Sequence, residues 1–380
     1  MADKASPQRA AQLSERPLPH SMPAVDAPSR AADETARFRR LLTSAPWTAA
    51  PICEVGRAVL TPALGGVAVL PWRAEALAAG AQGLEVAPDL DALSVPLAGF
   101  EQALVHADKS REATLCQLAW LWNRLSPGAH LGLCGGNELG IRTTAERAAA
   151  LLGAMPELER VKAKARLVRF VRGDQGLAAH QAAASFEGPS VGGAAGGRFR
   201  SLPGTFAAGR LDAGSALLWR TVERRVAEAV RPTPGCVLDL ACGVGVLGLS
   251  ALLRWPRARA EFYDADARAV RLCRENAEHL GCAGRARVHW WDAQLEPLPQ
   301  PPSAAATLVL INPPFHRGKA RDLGAAEAIF ERLGSLIGAG AEAFIVANYK
   351  LPYEAPLARL GKLQTLASED GFKVLHVAPE

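Results

Sequence analysis

Through the second half of the chain, short apolar runs alternate with segments whose apolar residues recur every three or four positions. This alternation predicts strands and helices in turn. Cys236–Ala241, Ala260–Tyr263, Arg287–Trp291, Ala306–Ile311 and Ala343–Ala347 read as strands, with Val246–Leu253, Asp266–Leu280 and Gly324–Leu336 as helices among them. The run to Ile311 is apolar almost throughout, the mark of a central strand covered on both faces. Gln364–Ser368 and Phe372–Val377 form an antiparallel hairpin across Glu369-Asp370-Gly371. The predicted fold class is α/β, with a seven-stranded, mostly parallel sheet that ends in that hairpin.

The first half carries a fainter version of the same pattern. A short helix is expected over Ala36–Ala45, two brief strands over Arg57–Leu70 around the turn Leu64-Gly65-Gly66, a strand over Gln102–Ala107 and a helix over Ser110–Leu125. His130–Leu133 then reads as a strand, Thr143–Leu152 as a helix and Ala163–Val171 as β structure. One architecture used twice accounts for both halves. The first copy has a glycine-containing loop, Leu133-Cys134-Gly135-Gly136-Asn137-Glu138-Leu139-Gly140, but no acidic strand end, and it reads as a fold without chemistry. The resulting division is a disordered tail over 1–35, an N-terminal domain over 36–175, a Gly/Ala-rich linker over 176–200 and a catalytic domain over 201–380.

Composition narrows the class. A chain of 380 residues exceeds one ordinary core. No stretch approaches the roughly 20 apolar residues that span a bilayer, and the N-terminus has charges of both signs without an apolar core, so a cytoplasmic protein with no membrane role is expected. Seven cysteines without paired C-x-x-C spacing argue against a disulfide framework and a metal site. The net charge of +5 permits an anionic partner without requiring one.

Candidate chemistry clusters at four strand ends. In Val237-Leu238-Asp239-Leu240-Ala241-Cys242-Gly243-Val244-Gly245-Val246-Leu247-Gly248 a strand runs into glycines that let backbone approach a ligand at a helix N-terminus. The glycines alone also satisfy a dinucleotide-binding pattern. Asp264 ends the next strand, where an acid accepts both ribose hydroxyls of either NAD or S-adenosylmethionine. Asp266 reads as the N-cap of the following helix. Asp292, after the third strand, is placed to meet an adenine amino group or to sit in a solvated loop. Asn312-Pro313-Pro314-Phe315 follows the central apolar run, and the prolines project it stiffly into the ligand crevice. There the Asn312 carboxamide oxygen and the Pro313 carbonyl accept the two N–H bonds of a planar amine, and Phe315 stacks on its ring. His316 is a proton relay or a packing residue.

At these residues the chain resembles the class I methyltransferases that modify amino groups, and among them the ribosomal RNA small subunit methyltransferase C family. The resemblance rests on Pro203-Gly204-Thr205-Phe206, Leu211-Asp212-Ala213-Gly214-Ser215, the Asp239–Gly245 loop, Asn312–His316, Val346-Ala347-Asn348 with Leu351-Pro352-Tyr353, and Phe372-Lys373-Val374. It implies a Rossmann-like catalytic domain behind a degenerate copy that aids folding or RNA engagement. It also implies S-adenosyl-L-methionine as cofactor and N2-methylation of one guanine in 16S rRNA, within a 30S subunit or assembly intermediate, by a monomer. By the same resemblance Phe206, Asp212 and Gly214 close over the cofactor, Asp239, Ala241, Gly243, Gly245 and Asn312 line it, Asp264 holds the ribose and Asp292 the adenine. Trp290-Trp291 departs from the more polar stretch expected there. The rival functions are a large-subunit rRNA guanine-N2 enzyme, a protein glutamine-N5 enzyme, a nicotinamide-dependent oxidoreductase and a non-catalytic RNA-binding factor.

Overall fold

Both halves of the chain close into a seven-stranded sheet, and the two sheets share one strand order. The computed structural model describes residues 30–94, 96–177, 184–187, 197–206, 209–228, 232–298, 307–314 and 320–380. In the first sheet β1 (Ile52–Val55), β2 (Gly66–Val69), β3 (Glu85–Ala87), β4 (Gln102–His106), β5 (His130–Gly136), β6 (Leu158–Lys162) and β7 (Ala165–Val171) lie in the order β3-β2-β1-β4-β5-β7-β6. Its helices are α1 (Arg30–Leu42), α2 (Thr61–Leu64), α3 (Arg73–Ala81), α4 (Arg111–Trp122) and α5 (Ile141–Leu152). Strands β8 (Ala184–Glu187) and β9 (Arg198–Ser201) then pair antiparallel.

The second sheet comprises β10 (Cys236–Leu240), β11 (Arg259–Asp264), β12 (Ala286–Trp290), β13 (Thr307–Ile311), β14 (Glu342–Asn348), β15 (Lys362–Glu369) and β16 (Phe372–Ala378), ordered β12-β11-β10-β13-β14-β16-β15. Its helices are α6 (Ala213–Ala227), α7 (Val246–Arg254), α8 (Ala267–His279), α9 (Ala320–Gly338) and α10 (Glu354–Leu357). In each sheet only the last two strands run antiparallel to their neighbours. Alternate residues of the central strands serve opposite cores. Leu308 and Leu310 pack with α6, α7 and α8, while Val309 and Ile311 pack with α9. No helix among the described residues is long and apolar enough to cross a membrane. The seven cysteines are free, and all but Cys116 are buried.

The expected α/β class and the duplicated, mostly parallel sheet are both present, and several local expectations change. Arg57–Leu70 does not form two strands around a turn. Instead β1 lies earlier, helix α2 occupies Thr61–Leu64, and β2 runs parallel to β1. The cause is Glu54, a buried carboxylate that accepts the backbone N–H groups of Val59, Leu60 and Thr61 at 2.8–3.0 Å and so caps α2. Gly66 (φ +99°) then brings the chain so close to β1 that a Cβ would lie 2.2 Å from the Ile52 carbonyl oxygen. Helix α3 and strand β3 carry no clear pattern and were not anticipated. Helix α1 starts at Arg30, inside the stretch expected to be tail, and residues 1–29 lie outside the described residues. Strand β8 falls within the segment read as a linker over 176–200, and β9 starts in it and ends one residue beyond. Arg200 of β9 exchanges hydrogen bonds with Asn276 of α8 (2.7 and 3.1 Å), which fastens β9 to the second domain.

The segment 133–140, read as a glycine loop, is instead the end of β5, the fifth strand, and the turn after it, and is therefore not the counterpart of the loop that follows β10. The counterpart lies at the end of β1. Glu54 pairs in register with Leu104 as Asp239 pairs with Leu310, so two residues further on His106 stands where the other domain has Asn312. Its Nε2 lies 2.8 Å from Glu54, and both side chains are buried. Burial raises the Glu54 carboxyl, but the bonds from His106 and the α2 backbone outweigh it and hold the group below its ordinary value. Removing the carboxylate strands several buried donors at once. Glu54→Ala is expected to cost about 3–5 kcal/mol of stability, measured as a lowered midpoint in chemical denaturation.

Candidate active site

The loop after β10 is held open by backbone conformation. Ala241 (φ +59°), Gly243 (φ +54°) and Gly245 (φ +87°) all take left-handed geometry. A Cβ on Gly245 would lie 2.6 Å from Cys273 Sγ, whereas one on Gly243 would meet nothing within 4 Å, so the loop shows bare backbone on that side. Asp239 anchors the loop from below. Its Oδ2 accepts the Gly248 N–H at 2.8 Å, while its buried Oδ1 has no hydrogen-bond partner among the described residues. Gly248 is needed for the close approach, since a Cβ there would sit 2.3 Å from the Phe262 ring.

Asp264 stands beside the loop. It accepts Gly243 N–H on one oxygen (2.7 Å) and Asp266 N–H on the other (2.9 Å). Burial pushes its carboxyl up to about 6 and that of Asp239 up to about 7, and the nearness of negative neighbours adds to both. Asp266 caps α8 as expected, accepting the Arg268 N–H at 2.9 Å.

The corner after β13 is fixed from a helix almost 100 residues earlier in the chain. Asn312 Nδ2 donates to Asp212 Oδ2 at 3.0 Å and to Ser215 Oγ at 2.9 Å. Asp212 also caps α6 by accepting the Ser215 N–H at 2.9 Å. With its nitrogen donating to both groups, the Asn312 amide turns its oxygen away from them. Gly214 permits this arrangement: a Cβ there would crowd Asp212 Oδ2 and the Phe372 ring at 3.0 and 3.1 Å. Pro313 is buried and Pro314 exposed, whereas Phe315 and His316 lie outside the described residues.

Residues 196–376 match the family model for the methyltransferase small domain. The ribosomal RNA small subunit methyltransferase C of Pseudomonas aeruginosa (strain LESB58) is 33% identical over 281 residues, covering 73% of this chain and 79% of that protein. The protein of the same name from Stutzerimonas stutzeri is 34% identical over 289 residues, with the same coverage of both chains. This chain belongs to the ribosomal RNA small subunit methyltransferase C family. A solved structure of the T. thermophilus 16S rRNA N2 methyltransferase, in complex with AdoMet and guanosine, superposes with a TM-score of 0.73 at 22% identity over 90% of this chain and 91% of that one. That likeness extends the shared fold across both domains.

Within this methyltransferase the remaining expected residues are spread more widely. Asp292 closes a turn of its own, accepting the Gln294 N–H at 2.9 Å, and its backbone N–H donates to Glu296 at 3.2 Å. Phe206 is half exposed at the end of the turn that follows β9. Asp212 and Gly214 are brought to Asn312. Ser215 was missed as a partner of Asn312, although an N-cap acid three residues before a serine is a readable helix start. Trp290 and Trp291 are accounted for by packing: Trp290 Nε1 donates to the Ala265 carbonyl at 2.9 Å, and Trp291 Nε1 to the Pro297 carbonyl at 3.1 Å.

The raised carboxyls have a thermodynamic signature. Both hold their protons to higher pH in the folded chain than in the unfolded one, so their contribution to stability is complete below about pH 4 and is lost as pH rises towards about 7. Asp239→Asn keeps an acceptor for Gly248 and no longer titrates. Its unfolding free energy, measured by denaturation across that window, should fall less steeply, by up to roughly 1.4 kcal/mol per pH unit.

Proposed function

We propose that this chain transfers a methyl group from S-adenosylmethionine to the exocyclic N2 amino group of a guanine in 16S rRNA. The observation that carries the reading is the Asn312 amide, pinned through nitrogen to Asp212 and Ser215 so that its oxygen is left to accept from a substrate N–H. The residues present suit the cofactor. Asp264 is a carboxylate at the end of the second strand, beside the glycine loop, suited to a ribose diol, the bare backbone at Gly243 admits close approach, and Asp292 follows the third strand for the adenine.

When bound, S-adenosylmethionine supplies an electrophilic methyl on a positively charged sulfur. The chain's own residues prepare the amine. The lone pair of N2 is delocalised into the purine, so free guanine is a poor nucleophile. Acceptance of its two N–H bonds by Asn312 Oδ1 and the Pro313 carbonyl favours a pyramidal nitrogen and orients the lone pair. With the cofactor held there, the N2 lone pair so oriented would take the methyl from the sulfonium, which would leave as the neutral thioether of S-adenosylhomocysteine, and the surplus N2 proton would pass to solvent water. The guanine must be unpaired or flipped, because a paired guanine already uses that amino group. Phe315 is assigned the stacking role. The same reading takes the cytoplasm as location, a 30S subunit or assembly intermediate as substrate and a monomer as the working form. Methylation assays on naked 16S rRNA against assembled subunits, with sedimentation of the enzyme, check these points.

Asn312→Ala should lower transfer by a factor on the order of 100 to 1,000 while S-adenosylhomocysteine affinity stays within about threefold. The test is labelled-methyl incorporation beside calorimetry, with mass spectrometry of both rRNAs from cells lacking the protein to locate the base. Turnover at the wild-type rate, or loss of a mark from large-subunit rRNA, would overturn the assignment. A second outcome concerns pH. Only ionised Asp264 accepts both hydroxyls, and its carboxyl sits at about 6, so affinity for S-adenosylhomocysteine should rise with pH through that value, by at most about tenfold per unit. In Asp264→Asn the affinity should be weak and the profile flat.

A further inference from the structure

Three residues of the N-terminal domain reach the loops that carry both cofactor acids. At the corner between β2 and α3, the Pro71 carbonyl accepts the Ala267 N–H at 2.8 Å and Arg73 N–H donates to the Ala265 carbonyl at 2.9 Å. These bonds form an antiparallel bridge between Trp72 and Asp266. The loop they hold is the one that presents Asp264. The Arg73 guanidinium makes a two-pronged pair with Glu296 (2.9 and 3.1 Å) and lies 5.0 Å over the Trp290 ring. Glu296 accepts the Asp292 backbone N–H, and Trp290 donates to Ala265. Trp290 also packs against Ala68, Leu70, Ala76 and Ala79 of the first domain. The corner therefore grips the Asp264 loop directly and the Asp292 loop through Glu296.

We propose that the N-terminal domain is a structural part of the cofactor site, with Arg73 as the residue that positions both acid loops around the adenosine end of S-adenosylmethionine. This inference rests on the assignment of Asp264 and Asp292 to that cofactor. Without the Arg73–Glu296 pair the Asp292 loop loses its side-chain tie to the N-terminal domain and the bridge to the Asp264 loop is held by backbone bonds alone, so binding must first order the Asp292 side, which weakens affinity while leaving the Asn312 corner unaffected. The effect belongs to cofactor binding and not to the chemical step.

The test uses the full chain. Arg73→Met keeps the aliphatic stem over Trp290 and removes the pair with Glu296. S-adenosylhomocysteine affinity by calorimetry should fall roughly tenfold, the size expected for a hydrogen bond to a charged group. The KM for S-adenosylmethionine should rise in parallel, with kcat at saturation within about twofold. Glu296→Gln removes the charge and one of the two acceptors from the other side and should weaken affinity in the same direction, which also covers a misfolded Arg73 variant. Arg271→Met serves as control: it cuts a different interdomain pair, with Asp89 at 2.7 Å on the flank of α8, and should leave affinity within about twofold. Wild-type affinity in both Arg73→Met and Glu296→Gln overturns the proposal. So does an equal loss in Arg271→Met, which would assign the effect to the interface in general. Wild-type affinity in Asp264→Asn would instead sink the cofactor reading itself.

Discussion

A carboxylate buried at the carboxyl end of a doubly covered strand must find donors, and how each domain meets that need decides which of them can hold a ligand. Glu54 is one methylene longer than Asp239. It reaches the N-terminus of α2 and gathers three backbone N–H groups, the Thr61 hydroxyl and His106. The acid is satisfied, and the crevice at that strand end is filled by its own partners. Among the described residues Asp239 reaches only Gly248 and retains a buried oxygen without a partner, and burial holds its carboxyl far above that of an ordinary aspartate. The same strand order thus gives a packed corner in one copy and an open, electrostatically tense loop in the other.

The open loop explains why conformation and charge are tuned together there. Left-handed geometry at Ala241, Gly243 and Gly245 turns the backbone so that the Gly243 N–H meets Asp264, and the two strand ends become one unit. On the far side of the crevice the Asp212 carboxylate has two duties, capping α6 and orienting Asn312. A helix start and an amide orientation are thereby one interaction, so a change that frays α6 also releases Asn312.

Sequence reading succeeded where the deciding physics is local. The proline that follows Asn312 restricts its backbone by neighbouring atoms alone, and the apolar run before it needs no partner to be recognised as a central strand. Asp264 and the glycines were legible for the same reason. Reading failed where a partner lies far along the chain. Nothing near Glu54 signals a helix cap, because that role depends on burial. The Asp212 and Ser215 contacts with Asn312 span about 100 residues of sequence, and Arg73 meets Glu296 across 223. The same distance explains Trp290, whose apolar ring makes no sense at a polar strand end until the first domain supplies the cluster it packs against. Helix α3 was invisible for a different reason, since its alanine-rich sequence lacks a strong apolar face.

The docking of the two domains follows from the repeat. Val55 pairs with Val69 as Leu240 pairs with Tyr263, which makes Leu70 the counterpart of Asp264, Pro71 of Ala265, Trp72 of Asp266 and Arg73 of Ala267. Trp72 and Asp266 are the N-caps of α3 and α8, and they bridge each other. The two bonds of the bridge, from Arg73 to Ala265 and from Ala267 to Pro71, exchange equivalent positions as in a self-complementary two-fold contact. The pseudo-symmetry fails in one respect. Where the second domain places the acid Asp264, the first has Leu70, which packs in the cluster that receives Trp290. A leucine there leaves no charge for this contact to bury, and the apolar cluster it joins is the seat on which Trp290 of the other domain packs.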